Sequence, residues 1–341
     1  MTVEGTQLDP AVLGRRLAAA ARAAAVGRDV CDLRELSGGS SGLTFGATLV
    51  SVAGEQPVVI KVAPPGLPPV RNRDVLRQAL VQRRLALEGS VPVPPVLFED
   101  QGDPPDVPPL FAMGLVPGSS FEPLVDAADV LPPPDELRDR ALDSARILGQ
   151  LHRLDLDRLE LGSEPPVGLA AEIDRWERML QSSGMDLGAL PERCTSVLRR
   201  TMPEPVPATL VHGDYRLGNQ ICDRGRVRAV LDWEIWSVSD PRIDLGWFLM
   251  TVEPDGLPSA VRSTAPGLPR RPEVLAEYEA VVGAPVGDLP WFSALARLRS
   301  AAAMSLNVKH NRRRPVPSPR IESYAGILPD YLRVALDLLG G

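Results

Sequence analysis

Lysine is nearly missing from this 341-residue chain: Lys61 and Lys309 are the only two, and arginine supplies the rest of the 37 basic side chains. A lysine inside a strand pattern is therefore singled out by scarcity alone. Cysteine is sparse as well. Cys31, Cys194 and Cys222 are odd in number, far apart and in no CxxC spacing, which speaks against a disulfide framework or a zinc site and leaves them as small core hydrophobes. No apolar run approaches the ~18 residues of a membrane-crossing helix, so no membrane span is expected. Positive charge is in deficit: the net charge of −7 argues against nucleic acid or an anionic membrane as the main partner. The opening stretch MTVEGTQLDPAVLGRRLAAAARAAAVG is Ala-rich, but Glu4, Asp9 and Arg22 break the order of a secretory signal, and a cytoplasmic protein is expected.

What is there reads as a soluble globular chain, with 44% hydrophobic and 24% charged residues, long enough for two lobes. Asp9 to Ala25 has the period of an amphipathic helix. After it, VCDLRELSGGSSGLTFGATLVSVAGEQPVVIKVAPPG alternates apolar and polar residues around Gly-rich turns, the pattern of three antiparallel strands. The Pro-rich loop from Pro64 to Pro69 ends that pattern, and NRDVLRQALVQRRLALEG places Val75, Leu76, Ala79, Leu80 and Leu85 at helical spacing. VPVPPVLFED and PPLFAMGLVPG read as two more strands. The first lobe, residues 1–116, is then a five-stranded antiparallel sheet with a crossing helix, and the second, 117–341, is mainly helical: an α+β chain. Helical patterns run over Asp135–Arg153, Ala170–Ser182, Pro272–Val282, Pro290–His310 and Ser323–Leu339, with a further start at Asp240-Pro241. Between them, ATLVHG and VRAVLDW, the second preceded by the turn DRGR, read as a small hairpin.

The stretch LVHGDYRLGNQICDRGRVRAVLDWE carries the chemistry. Asp214 and Asn219 are five apart on a loop marked by Gly213 and Gly218, and Asp232 closes a strand thirteen residues later. A carboxylate able to accept a hydroxyl proton, an amide oxygen and a second carboxylate are the oxygen donors that a Mg²⁺-assisted phosphoryl transfer needs, since a hard cation prefers oxygen. A lone DxxxxN more often serves a turn; strand, loop, strand and a following Asp together favour the functional reading. Upstream, the Gly- and Ser-rich turn LSGGSSGLTF could cover phosphates with backbone amides, and Lys61 in PVVIKV could reach the α- and β-phosphates. His212 is read as a loop-shaping residue, His152 as a core or helix-end histidine, and Asp244 as a brace between the loop and the next helix. The basic tail VKHNRRRPVPSPR would favour an anionic substrate if the last helices wall the acceptor pocket.

These stretches resemble the aminoglycoside phosphotransferase family of kinase-like enzymes, and among its members the subgroup whose domain is also found fused to acyl-CoA dehydrogenases in animals. The likeness rests on LSGGSSGLTF, VVIKV, VPVPPVL, FAMGLVPG, LGQLHRLD, HGDYRLGN, VLDWE and DPRIDLGW, from about Leu33 onward. It implies a two-lobe protein-kinase-like fold, ATP with GTP as the alternative nucleotide, and Mg²⁺. It assigns Asp214 as the base, Asn219 and Asp232 to the metal, Lys61 to the phosphates, Ser40 and Ser41 to the phosphate-covering loop, and Met113, Gly114 and Leu115 to the adenine-binding hinge. The implied activity is phosphoryl transfer to a hydroxyl of a small molecule, an anionic or lipid-derived compound rather than an aminoglycoside. An antibiotic phosphotransferase and a non-catalytic pseudokinase are the alternatives. A protein kinase is disfavoured because DWEIWSVSDP is too short for a peptide platform. Two departures stand out: Gln78 occupies the place where kinase-like helices offer the lysine a glutamate, Asp74 and Glu88 being less well placed, and Gly114 replaces an acidic hinge residue.

Overall fold

The computed structural model describes residues 8–36, 42–123, 131–162, 164–252 and 265–340. Ser40 and Ser41 lie outside the described residues. Helix α1 (Pro10–Ala23) starts where Asp9 accepts the Ala11 and Val12 amides and Pro10 takes a position that needs no N–H. Strands β1 (Asp29–Glu35), β2 (Leu43–Ser51) and β3 (Gly54–Val62) follow as expected, then α2 (Val75–Glu88), β4 (Val96–Asp100) and β5 (Leu110–Gly114). The order is β1-β2-β3-β5-β4, antiparallel at every step.

Strand alternation decides what each face holds. Phe45, Leu49, Val58, Ile60 and Ala112 turn to α1, packing on Leu13, Leu17 and Ala21. The opposite parity sends Phe111 and Met113 to α2, against Val75 and Ala79. Lys61 shares the parity of Val59, so it stands on the α2 side of the sheet. Asp74 caps α2 by accepting the Leu76 and Arg77 amides, and Gly89, at φ 88°, ends it in the left-handed conformation.

The rest of the chain is mostly helical: α3 (Pro134–His152), α4 (Leu156–Leu159), α5 (Leu169–Ser183), α6 (Leu190–Arg200), then β6 (Thr209–Val211), β7 (Gln220–Asp223), β8 (Arg226–Val230), β9 (Ser237–Ser239), and α7 (Arg242–Val252), α8 (Arg271–Val282), α9 (Leu289–Asn311), α10 (Pro319–Ser323) and α11 (Leu328–Leu338). Two expectations change. The run ATLVHG does not pair with VRAVLDW: β6 pairs with β9, and β8 pairs with β7 across Arg224-Gly225, both at positive φ as a tight hairpin requires. The last expected helix divides into α10, a single 3₁₀ turn and α11, because Pro329 opens a new first turn. Helix α6 is additional. Its apolar positions are only Leu190, Cys194, Val197 and Leu198 among polar residues, too few to mark a period, yet Cys194 and Leu198 are fully buried against α9 and α11.

The sheet and the helices meet around α2. Val81 and Leu85 join Tyr215, Leu217, Trp233, Trp236 and the α3 residues in one core. Arg77 stacks 3.6 Å from the Trp236 ring centroid and donates to its carbonyl, while the indole N–H returns a bond to the Arg77 carbonyl. This fastens α2 to the segment that follows Asp232.

Candidate active site

A cavity of ≈ 890 Å³ lies under the sheet, lined by β2 and β3 on one side, the end of β5 at the back and the loops around β6 to β8 below. Lys61, Met113, Gly114, Leu115, Asp214, Asn219 and Asp232 all line it. Seven of the nine expected site residues are thus brought together, and the other two are Ser40 and Ser41.

The loop between β6 and β7 is shaped by its own sequence. Gly213 has φ 84°, and a Cβ there would stand 2.5 Å from the Ile235 carbonyl oxygen, so the position demands glycine. At Gly218 a Cβ would approach Glu122 Oε2 to 2.8 Å. His212 has the structural role expected of it: Nδ1 accepts the Asp214 amide at 3.1 Å and Nε2 donates to the Leu231 carbonyl at 2.7 Å. Asp244, wholly buried at the start of α7, accepts the His212 and Gly213 amides at 2.6 and 2.9 Å. His152 bonds Tyr278 Oη through Nδ1 at 2.8 Å and brings Nε2 to 3.6 Å from Asp244. Burial pushes the Asp244 carboxyl up, but His152 and His212 outweigh it and hold it below the usual range.

Asp214 is crowded on one oxygen and open on the other. Oδ2 accepts Arg216 Nε at 3.1 Å and Asn219 Nδ2 at 2.9 Å; among the described residues Oδ1 accepts only Arg299 Nη2, at 3.1 Å. A carboxylate oxygen takes about two donors, so Oδ1 keeps a place for an incoming hydroxyl. Burial raises this carboxyl, but the Arg299, Arg216 and His212 charges reverse the effect and leave it below the ordinary value, hence ionised near neutrality. Arg216 is fixed in turn by Glu122 Oε2 at 2.7 Å, and both line the cavity.

The donor set suits a hard cation. Asn219 uses its amide N–H groups on the Asp214 carbonyl and carboxylate, both at 2.9 Å, which leaves Oδ1 without a protein donor among the described residues. Asp232, at φ 63° and ψ 56°, accepts Lys61 Nζ on Oδ1 at 2.6 Å, and its Oδ2 has no donor among the described residues. One amide oxygen and one carboxylate fit Mg²⁺, which binds through few protein ligands and completes its shell with phosphates and water.

Lys61 finds its partner in Asp232; Gln78 Oε1 stands farther away, at 3.4 Å. Asp74 is occupied as the α2 cap and Glu88 by Ser90, so neither serves Lys61. At the hinge, the Gly114 amide is taken by the Pro95 carbonyl at 2.9 Å and the Leu115 amide by Pro57 at 3.1 Å. The next amide, Val116, lines the cavity and has no protein acceptor among the described residues. The basic tail does not reach the cavity. Lys309 bonds the Ser182 carbonyl, and Arg312 pairs with Glu322 at 2.6 Å. The cations at Asp214 are Arg216, inside the motif, and Arg299, 85 residues downstream, where no local pattern announces it.

The profile of the Phosphotransferase enzyme family (APH) matches residues 32–281. Acyl-CoA dehydrogenase family member 10 of Mus musculus is 28% identical over 199 residues, 57% of this chain and 18% of that protein. Acyl-CoA dehydrogenase family member 11 of Homo sapiens is 27% identical over 206 residues, 57% of this chain and 25% of that protein. The chain therefore spans a quarter or less of the length of these relatives. Among solved structures, a candidate aminoglycoside phosphotransferase from Ralstonia eutropha JMP134 superposes with a TM-score of 0.71 at 21% identity, covering 91% of this chain and 92% of that one. A thermostable aminoglycoside phosphotransferase mutant solved with ADP and hygromycin B gives a TM-score of 0.55 at 16% identity, with 90% and 95% covered. Likeness at these identities shows the shared two-lobe, kinase-like fold. No described helix is long and apolar enough to cross a membrane. The family profile covers well over half of the sequence, and the chain belongs to the phosphotransferase enzyme family.

Proposed function

We propose that the chain is an ATP- and Mg²⁺-dependent small-molecule kinase that moves the γ-phosphoryl group to a hydroxyl. The observation that carries this is the open position on Oδ1 of Asp214, a residue that lines the same cavity as Lys61, Asn219 and Asp232. The acceptor hydroxyl donates to Oδ1, its oxygen attacks the γ-phosphorus, and the bond to the β–γ bridging oxygen breaks to release ADP. The hydroxyl proton leaves to Asp214. Lys61 and Arg216 neutralise phosphate oxygens, and the loose transition state makes such charge placement the main contribution of the protein. Asn219 Oδ1 and Asp232 would hold the Mg²⁺, which supplies positive charge to the β- and γ-phosphates when bound. Met113 to Val116 would seat the base, and the working division between the lobes stays at residues 116 and 117.

The acceptor reading is an anionic or lipid-derived hydroxy compound. Arginines rather than carboxylates crowd Asp214, and the sequence relatives carry acyl-CoA dehydrogenase names. An aminoglycoside is polycationic and prefers acidic walls. A nucleotide-binding protein without turnover is the second reading, favoured by one observation: Gln78 stands where an acid would tether Lys61. ADP release from ATP and Mg²⁺ with two panels, aminoglycosides and hydroxyacyl compounds free or as CoA thioesters, separates the three. Response to the hydroxyacyl panel is expected; response to aminoglycosides alone would overturn the acceptor reading, and nucleotide binding without turnover on either would favour the second reading.

A further inference from the structure

Arg299 bonds Asp214 but is not among the residues that line the nucleotide cavity. It rises from α9, is 6% exposed, and has its Cζ 3.9 Å from the Trp247 ring centroid on α7 and 5.1 Å from Trp176 on α5. The indole faces hold the plane of the guanidinium but accept nothing along its edge. Of the five N–H donors in the fork, Asp214 Oδ1 takes one. The others have no hydrogen-bond partner among the described residues, and Nε and Nη1 are not completely enclosed. The N–H of Trp247, the indole that carries the fork, is buried with no acceptor. A desolvated cation with one hydrogen bond is an unfavourable arrangement that a further anionic acceptor would relieve.

The nearby acidic groups are already engaged. Glu172 accepts the Trp176 N–H at 3.0 Å and stands 3.8 Å from Arg175, and Asp244 is held by two backbone amides. Arg175 adds a second cation over Trp176, at 4.7 Å, and is half-exposed. An acceptor hydroxyl on Asp214 Oδ1 would share that oxygen with Arg299, and two donors on one oxygen stand about 4–5 Å apart. An oxygen carried about two to four bonds from the hydroxyl falls within reach of the fork.

We propose that Arg299 is the specificity residue for the acceptor. It binds a carboxylate or phosphate oxygen close to the hydroxyl that Asp214 orients, which makes the acceptor a small hydroxy acid or hydroxy phosphate. The inference rests on the phosphotransferase reading of the cavity and narrows its substrate class.

Matched pairs test it: 3-hydroxybutyrate against 1,3-butanediol, and glycerol 3-phosphate against glycerol. Each is assayed for ADP release from ATP and Mg²⁺ and, separately, for a rise in Tm with ADP and Mg²⁺ present. In the wild type, an anionic member of at least one pair should act and its neutral counterpart should not, and the pair that responds tells carboxylate from phosphate. Arg299→Gln should raise KM for the anionic compound roughly 10- to 100-fold, the size of one lost charged hydrogen bond. Arg299→Lys should lie between, because the charge stays and the fork is lost. A residue that only braces Asp214 would lower kcat alike for neutral and anionic acceptors, and that result overturns the proposal. So does equal action of neutral and anionic members on the wild type, or no response to any anionic compound in either assay. Anion-dependent stabilisation lost in Arg299→Gln, with no ADP release, would support the recognition role while the catalytic reading failed. Turnover on neutral acceptors alone would do the reverse. Should Arg299→Gln not fold, the wild-type pairs and Arg299→Lys decide.

Discussion

Lys61 has one close partner and one distant one, and the difference sets what each neighbour is worth. A charge-assisted bond of 2.6 Å to Asp232 outweighs a 3.4 Å contact to the neutral Gln78. Gln78→Ala is expected to lower kcat/KM less than about tenfold, whereas Lys61→Ala, which under the proposed mechanism removes a charge from the transferring phosphates, should cost about 100-fold or more. Steady-state kinetics of the two variants side by side checks the ranking. Asp244 offers a stability test. Truncation to Ala leaves the His212 and Gly213 amides buried without an acceptor, and the expected loss is about 3–5 kcal/mol by urea unfolding. Because its carboxyl is held below the usual range, its stabilisation is complete above the unfolded value near ~4 and is lost as pH falls through the lower folded value. The urea midpoint should therefore drop below about pH 4, more steeply in the wild type than in Asp244→Asn.

Among the elements, α2 couples the sheet to the segment after Asp232 through Arg77 and Trp236. Arg77→Ala should destabilise by about 1–3 kcal/mol and raise KM for ATP, since the helix that carries Gln78 loses its tie to the Asp232 segment. Thermal melts with ATP titration would show both effects or neither. The elements that the sequence made legible are those with a strong period. Strict alternation marked β1 to β3 and with it the side of the sheet on which Lys61 stands; helical spacing from Val75 to Leu85 marked α2. Helix α6 escaped because its buried residues are few among arginines and polar neighbours. The β6–β9 pair escaped because three-residue strands carry no period, and only the tertiary fold brings Thr209 to Ser239. The site followed the same rule: Asp214, Asn219 and Asp232 were readable from one stretch, but the two-sided grip on Asp214 needs a residue from α9 that no local spacing reveals.

Among the described residues, the sheet and the helical body meet at a cavity lined by Lys61 from the sheet and by Asp214, Asn219 and Asp232 from the loops below it. A ligand that bridges both walls should stabilise the fold by mass action, about 2.7 kcal/mol at 100 times its Kd. Tm is expected to rise with a non-hydrolysable ATP analogue, to rise further with Mg²⁺, and to lose the Mg²⁺-dependent part in Asp232→Asn; an increment that survives in that variant would place the metal elsewhere. The most direct test of phosphoryl transfer at this cavity is acceptor-dependent ADP release by the wild type and Asp214→Ala at matched nucleotide occupancy. Release by the wild type that falls by about 10²-fold or more in Asp214→Ala, with nucleotide affinity retained, is the predicted result. Equal release by the two proteins, or none by the wild type with ATP bound and a full acceptor panel present, would contradict it.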